Sequence, residues 1–104
     1  MKVTGSHLIA KALRAEGVQK IFALAGDHTL PVMDLMARQG FEFIDTRHEQ
    51  GAVHAAEGYA RSSGKVGCVL VTSGPGATNI VTGLTDALLD SIPLVCITGQ
   101  VGSK

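Results

Sequence analysis

Apolar residues recur along this chain in two rhythms, and the switches between them outline a fold. Behind Gly5-Ser6, the residues Leu8, Ile9, Ala12 and Leu13 fall on one face of a helix that ends at Gly17. Val18 to Leu24 reads as a strand running into Ala25-Gly26-Asp27. The next helix spans His28 to Gln39, with Thr29 or Asp27 as its cap, Pro31 in its first turn and Gly40 at its end. Its inward face is Leu30, Met33, Leu35 and Met36, read as core. Phe41 to Asp45 forms a second strand, and Arg47 to about Ser62 a third helix closed by Gly64. Val66 to Val71 is a third strand, apolar on both faces, which marks the centre of a parallel sheet. One helix from Pro75 or Gly76 to about Leu89 and a fourth buried strand, Pro93 to Thr98, complete the pattern.

A helix followed by βα repeats with short connections predicts an α/β fold. Right-handed crossovers make it a flavodoxin-like doubly wound parallel sheet, four strands in order 2-1-3-4, with helices on both faces. The switch point then lies between strands 1 and 3, flanked by the loops at Gly26 and Ser73-Gly74. Residues 99–104 follow a buried strand with no helix to cover it, so the chain is expected to be a piece of something larger. A bare sheet edge invites pairing, so self-association into a homo-oligomer is also expected.

Composition narrows the function. The 104 residues suffice for one small domain. Nine basic and nine acidic residues cancel, which speaks against a nucleic-acid groove or a basic membrane-binding face. Thirteen glycines and no tryptophan suit tight βα turns better than an aromatic platform. Cys68 and Cys96 each sit inside an apolar run and read as small buried hydrophobes. With His7, His28, His48 and His54 they make no zinc-like spacing, so no metal ligand is assigned. The first residues lack the apolar core of a signal peptide, and no run approaches a membrane span. A cytoplasmic location is the expectation.

Chemistry concentrates in two stretches. Asp45-Thr46-Arg47-His48-Glu49-Gln50-Gly51 joins the second strand to an alanine-rich helix, which puts the Glu49 carboxylate at the carboxyl end of a strand. Ligands of open α/β sheets bind at that edge. The spacing of Thr46 and Glu49 also fits a capping box, a purely structural use of the same carboxylate. Thr72-Ser73-Gly74-Pro75-Gly76-Ala77-Thr78-Asn79 is a strand-to-helix turn whose glycines let a backbone approach a ligand. It is no Walker A loop, since no Gly-Lys-Ser/Thr follows, and only a near miss to GxGxxG.

Taken together, four stretches resemble thiamine-diphosphate enzymes. They are His48-Glu49-Gln50-Gly51-Ala52, His54-Ala55-Ala56-Glu57-Gly58-Tyr59-Ala60-Arg61, Thr72 to Asn79, and Asp90-Ser91-Ile92-Pro93 with Ile97-Thr98-Gly99-Gln100-Val101. The resemblance covers nearly the whole chain and is closest to the amino-terminal pyrimidine-binding domain of acetolactate synthase large subunits. It implies that Glu49 hydrogen-bonds a ring nitrogen of the cofactor's aminopyrimidine and so activates the thiazolium carbon. It also implies that Gly26, Pro75, Asn79 and Gln100 line the pyrimidine pocket. His48 is given a structural role, and His7, His28 and His54 no catalytic one.

The resemblance further implies a parent enzyme that decarboxylates a 2-keto acid such as pyruvate and adds the product to a second carbonyl. Its cofactor would be thiamine diphosphate with magnesium, held by a domain not represented here, with FAD a feature of the parent alone. The isolated chain is therefore expected to be inactive. Where the family carries a Tyr-Pro-Gly-Gly turn, this chain reads Leu24-Ala25-Gly26-Asp27, which leaves the substrate open. The alternatives are a non-catalytic α/β association module and a related thiamine-diphosphate lyase or decarboxylase.

Overall fold

The chain enters its first helix, α1 (Gly5–Ala15), through a capping box: Thr4 accepts the His7 backbone N–H and the His7 ring accepts that of Thr4. The computed structural model describes residues 4–27 and 29–99. Strand β1 (Lys20–Ala23) leads to α2 (Leu30–Arg38), β2 (Glu42–Asp45) and α3 (Glu49–Ser63). Then come β3 (Gly67–Val71), the short α4 (Pro75–Thr78), α5 (Val81–Leu89) and β4 (Leu94–Thr98). All pairings are parallel, in the expected order β2-β1-β3-β4.

The strand period of two assigns alternate residues to two cores. Ile21, Ala23, Cys68 and Leu70 face α1 and α2, where Ala10 and Met36 are fully buried. Phe22, Val69 and Val71 face the other way, against Ala52, Val53 and Ala56 of α3 and against Ile80. Every residue of β3 is buried, as expected of the central strand. The cysteines fall on opposite faces, Cys68 in the first core and Cys96 against the second. Both thiols are pushed up to about 11, first by burial, so they stay protonated near neutral pH.

Several expectations need correction. Of the face expected of α1, Leu13 packs against the core, but Leu8 is 59% exposed and Ala12 is exposed, and the buried residue is Ala10, which the pattern did not mark. Leu30 is half exposed; Met36 is the buried residue of α2, with Met33 and Leu35 packed around it. Thr29 makes no side-chain cap; its hydroxyl instead donates to the Gly26 carbonyl. The expected helix from Pro75 to Leu89 is two helices, broken at Asn79-Ile80, where Ile80 turns into the core. Nor is β4 buried: it is an edge strand with Val95 exposed.

The α3–α5 contact depends on Gly83. A Cβ there would lie 2.2 Å from Val53 Cγ1. Alanine would gain about 1 kcal/mol of helix propensity, but overpacking costs about 1–3 kcal/mol. At so short a distance to a rigid, branched side chain, the clash wins. Gly83→Ala is expected to lower the urea midpoint, and adding Val53→Ala is expected to recover part of that loss relative to Val53→Ala alone.

Candidate active site

Strands β1, β2 and β3 all end on one side of the sheet, and their following loops meet there. The switch point between β1 and β3 is closed tightly. Gly26 sits against Thr72, and a Cβ at Gly26 would lie 2.4 Å from Thr72 Cβ. Gly26 therefore makes room first for the loop after β3. Thr72 opens the turn marked in the sequence, but its packing against Gly26 is a contact between distant segments that no local pattern shows.

Helix α3 starts at Glu49, two residues later than expected, and its N-cap is His48, not Thr46. His48 is extended (φ −151°), and its Nδ1 accepts the Gln50 N–H at 3.0 Å. Acceptance at Nδ1 puts the neutral ring's proton on Nε2. The Thr46 hydroxyl donates to the His48 carbonyl at 2.9 Å and so braces the same turn. The expected Thr46–Glu49 capping box does not form, because the imidazole fills the role of the cap. His48 thus has the structural role expected of it.

This frees Glu49 from capping. It is the first residue of α3, only 9% exposed, beside the unpaired N–H groups of the helix start, where a negative charge is favoured. Its Oε1 accepts a hydrogen bond from Asn79 Nδ2 at 3.0 Å, across thirty positions of sequence. Asn79 is delivered by the break after α4, and its backbone N–H is tied to the Pro75 carbonyl at 2.9 Å. Glu49, Asn79 and Pro75 are thereby linked in one chain of contacts. Gln100 lies outside the described residues. A depression of about 380 Å³, lined by Gln19, Lys20, Tyr59 and Lys65, lies at the other end of the strands, and no expected site residue borders it.

Residues 3–104 match the family described as thiamine pyrophosphate enzyme, N-terminal TPP binding domain. The chain belongs to this family. It is 57% identical over 100 residues to the acetolactate synthase large subunit of Lactococcus lactis subsp. lactis, covering 95% of this chain and 17% of that protein. It is 54% identical over 101 residues to the acetolactate synthase isozyme 2 large subunit of Escherichia coli, covering 97% of this chain and 18% of the relative. The chloroplastic acetolactate synthase of Arabidopsis thaliana is 53% identical over 98 residues, covering 93% and 15%. The chain thus spans less than a fifth of the length of these relatives.

The residues of this TPP-binding domain fit the pyrimidine part of that cofactor. Glu49 has one carboxylate oxygen given to Asn79, and the second takes no hydrogen bond from a described residue. One free carboxylate oxygen beside one amide is a donor and acceptor set for a neutral heterocycle. It does not suit two phosphates and a hard metal ion, which call for cations and several oxygen ligands. Elsewhere on α3, His54, Glu57 and, from α5, Asp86 also come together. Their sequence gives half of that away, since His54 and Glu57 are three apart on a helix.

Loss of a cap costs about 1 kcal/mol. His48→Ala is expected to destabilise the domain by that order in urea unfolding, with no change in the far-ultraviolet circular dichroism of the folded state.

Proposed function

We propose that this domain is the pyrimidine-binding half of an acetolactate-synthase-like enzyme, and that Glu49 activates the cofactor. The parent decarboxylates a 2-keto acid such as pyruvate and joins the product to a second carbonyl compound. The observation that carries the proposal is the Glu49 carboxylate, buried at a strand's carboxyl end and held by Asn79 at 3.0 Å. The family match and the names of the relatives support the same reading.

Thiamine diphosphate supplies the carbanion chemistry when bound. Glu49 holds and exchanges a proton at the pyrimidine ring nitrogen, and Asn79 keeps the carboxylate facing it. Gly26 and Pro75 border the ring with backbone and a rigid wall, and Gln100 is assigned to the same pocket. Magnesium and FAD belong to parts of the parent beyond this domain. A homo-oligomer fits the apolar side chains left open on α5, where Leu88 and Leu89 are 79% and 78% exposed. A cytoplasmic location fits two free cysteines on opposite faces of the sheet.

General acid–base contributions are about 10²–10⁴-fold. In the full-length parent, Glu49→Gln keeps the shape and the Asn79 contact but cannot exchange the proton. Hydrogen–deuterium exchange at the thiazolium carbon, followed by NMR, is expected to slow by that range while cofactor binding is retained. Equal rates in both forms would remove the catalytic assignment.

The isolated 104-residue chain offers only half a pocket. A ligand left largely in water binds weakly, so the dissociation constant for thiamine diphosphate with magnesium is expected to be about 1 mM or weaker, near 4 kcal/mol. Calorimetric titration measures it. Micromolar binding by this chain alone would show that the site is complete without further domains.

A further inference from the structure

Helices α3 and α5 meet along a line of charged residues whose pairing changes from one turn to the next. Arg61 of α3 and Asp90, which caps the end of α5, form an ion pair at 2.6 Å. Four residues earlier on each side of this seam stand Glu57 in α3 and Asp86 in α5, both acidic. His54, one turn before Glu57, joins them, its Nδ1 3.0 Å from Glu57 Oε2. One ligand atom from each of the three lies within 4.8 Å of the other two.

Glu57 is the unusual member. It is only 4% exposed, and its Oε1 is buried without a hydrogen-bond partner among the described residues. A buried carboxylate oxygen left unpaired is costly, and a second carboxylate beside it adds repulsion. His54 answers one oxygen of Glu57 and leaves the other. The cation that settles the seam one turn on, Arg61, is engaged by Asp90. What the cluster lacks is positive charge placed between Glu57 and Asp86.

We propose that His54, Glu57 and Asp86 bind one divalent transition-metal ion that ties α3 to α5. One imidazole nitrogen and two carboxylate oxygens form a three-ligand set of the kind that holds zinc and leaves a fourth position for water. The nitrogen favours zinc over magnesium, calcium or manganese. Metal–ligand bonds of about 2.0–2.2 Å require the three donors to draw in slightly. His54 and Asp86 are exposed, while the buried Glu57 anchors the site. The missing Cβ of Gly83, packed on Val53, brings the helices close enough one turn from Asp86 and next to His54. Glu57 is eight residues from Glu49, about 12 Å along the helix, so the ion is separate from the pyrimidine site.

The test is titration of the 104-residue chain with zinc chloride by calorimetry, and with cobalt by visible absorption. One equivalent is expected to bind in the micromolar range, with a rise in thermal midpoint. Even outer-shell changes cost about 10–100-fold in metal affinity, so Asp86→Asn, an exposed and isosteric change, is expected to weaken binding at least tenfold and to abolish the thermal rise. Glu57→Gln is expected to do the same, while His7→Ala leaves affinity unchanged. Absence of binding at millimolar zinc would overturn the proposal. So would micromolar binding that Asp86→Asn leaves unchanged, because the ion would then sit on other histidines.

Discussion

Everything in this domain hangs on β3 being buried on both faces. Its five residues alternate between two apolar layers, so one strand anchors both cores at once. β1 lies on one side of it and β4 on the other, and the crossover from β2 to β3 passes over β1. That reversal sets the loops after β1 and β3 side by side at the switch point, the edge where such sheets bind ligands, and there Gly26 packs directly on Thr72. The same apolar continuity that stabilises the middle of the sheet thus decides where chemistry can occur.

The contact between Glu49 and Asn79 ties the start of α3 to the end of α4 on that side of the sheet. A carboxylate at a helix start is held by the helix field and by one amide, so its direction is set before any ligand arrives. The division of labour around it is clear. His48 caps the helix, Thr46 braces the turn, and Glu49 keeps one carboxylate oxygen without a hydrogen bond from the described residues. A glutamate tied up in a capping box would be held by the backbone of its own helix start and would be a poorer partner for a heterocycle.

The other face of α3 tells a different story. Small residues at Ala52 and Ala56 and the glycine at Gly83 pack α3 between the sheet and α5 so closely that the polar groups at its edge are drawn in too. Glu57 is buried because of where its neighbours go. Arg61 and Asp90 resolve the charge on one turn, and His54 resolves it only in part on the turn before. Close packing of helices and a stranded carboxylate are two consequences of one sequence choice.

The strand order, the switch point and the location of Glu49 at a strand end were all legible in the sequence. They follow from local properties: apolar runs too continuous for anything but a buried strand, short loops, and the handedness of crossovers. The family resemblance was legible as well, because it rests on residues at fixed spacing. What the sequence left open depends on contacts between distant segments. Whether Thr46 or His48 caps α3 turns on which side chain reaches the helix start, and spacing permits either. The break at Asn79-Ile80 is invisible to helix periodicity, because it arises from Ile80 seeking the core and Asn79 reaching Glu49 thirty residues away. The inward face of α1 is set by its packing against α2 and the first core, which buries Ala10 and leaves Leu8 outside. Asp86 meets Glu57 only because two helices touch at a glycine. Periodicity reports the pattern within one element, and only packing decides which elements, and which of their side chains, come together.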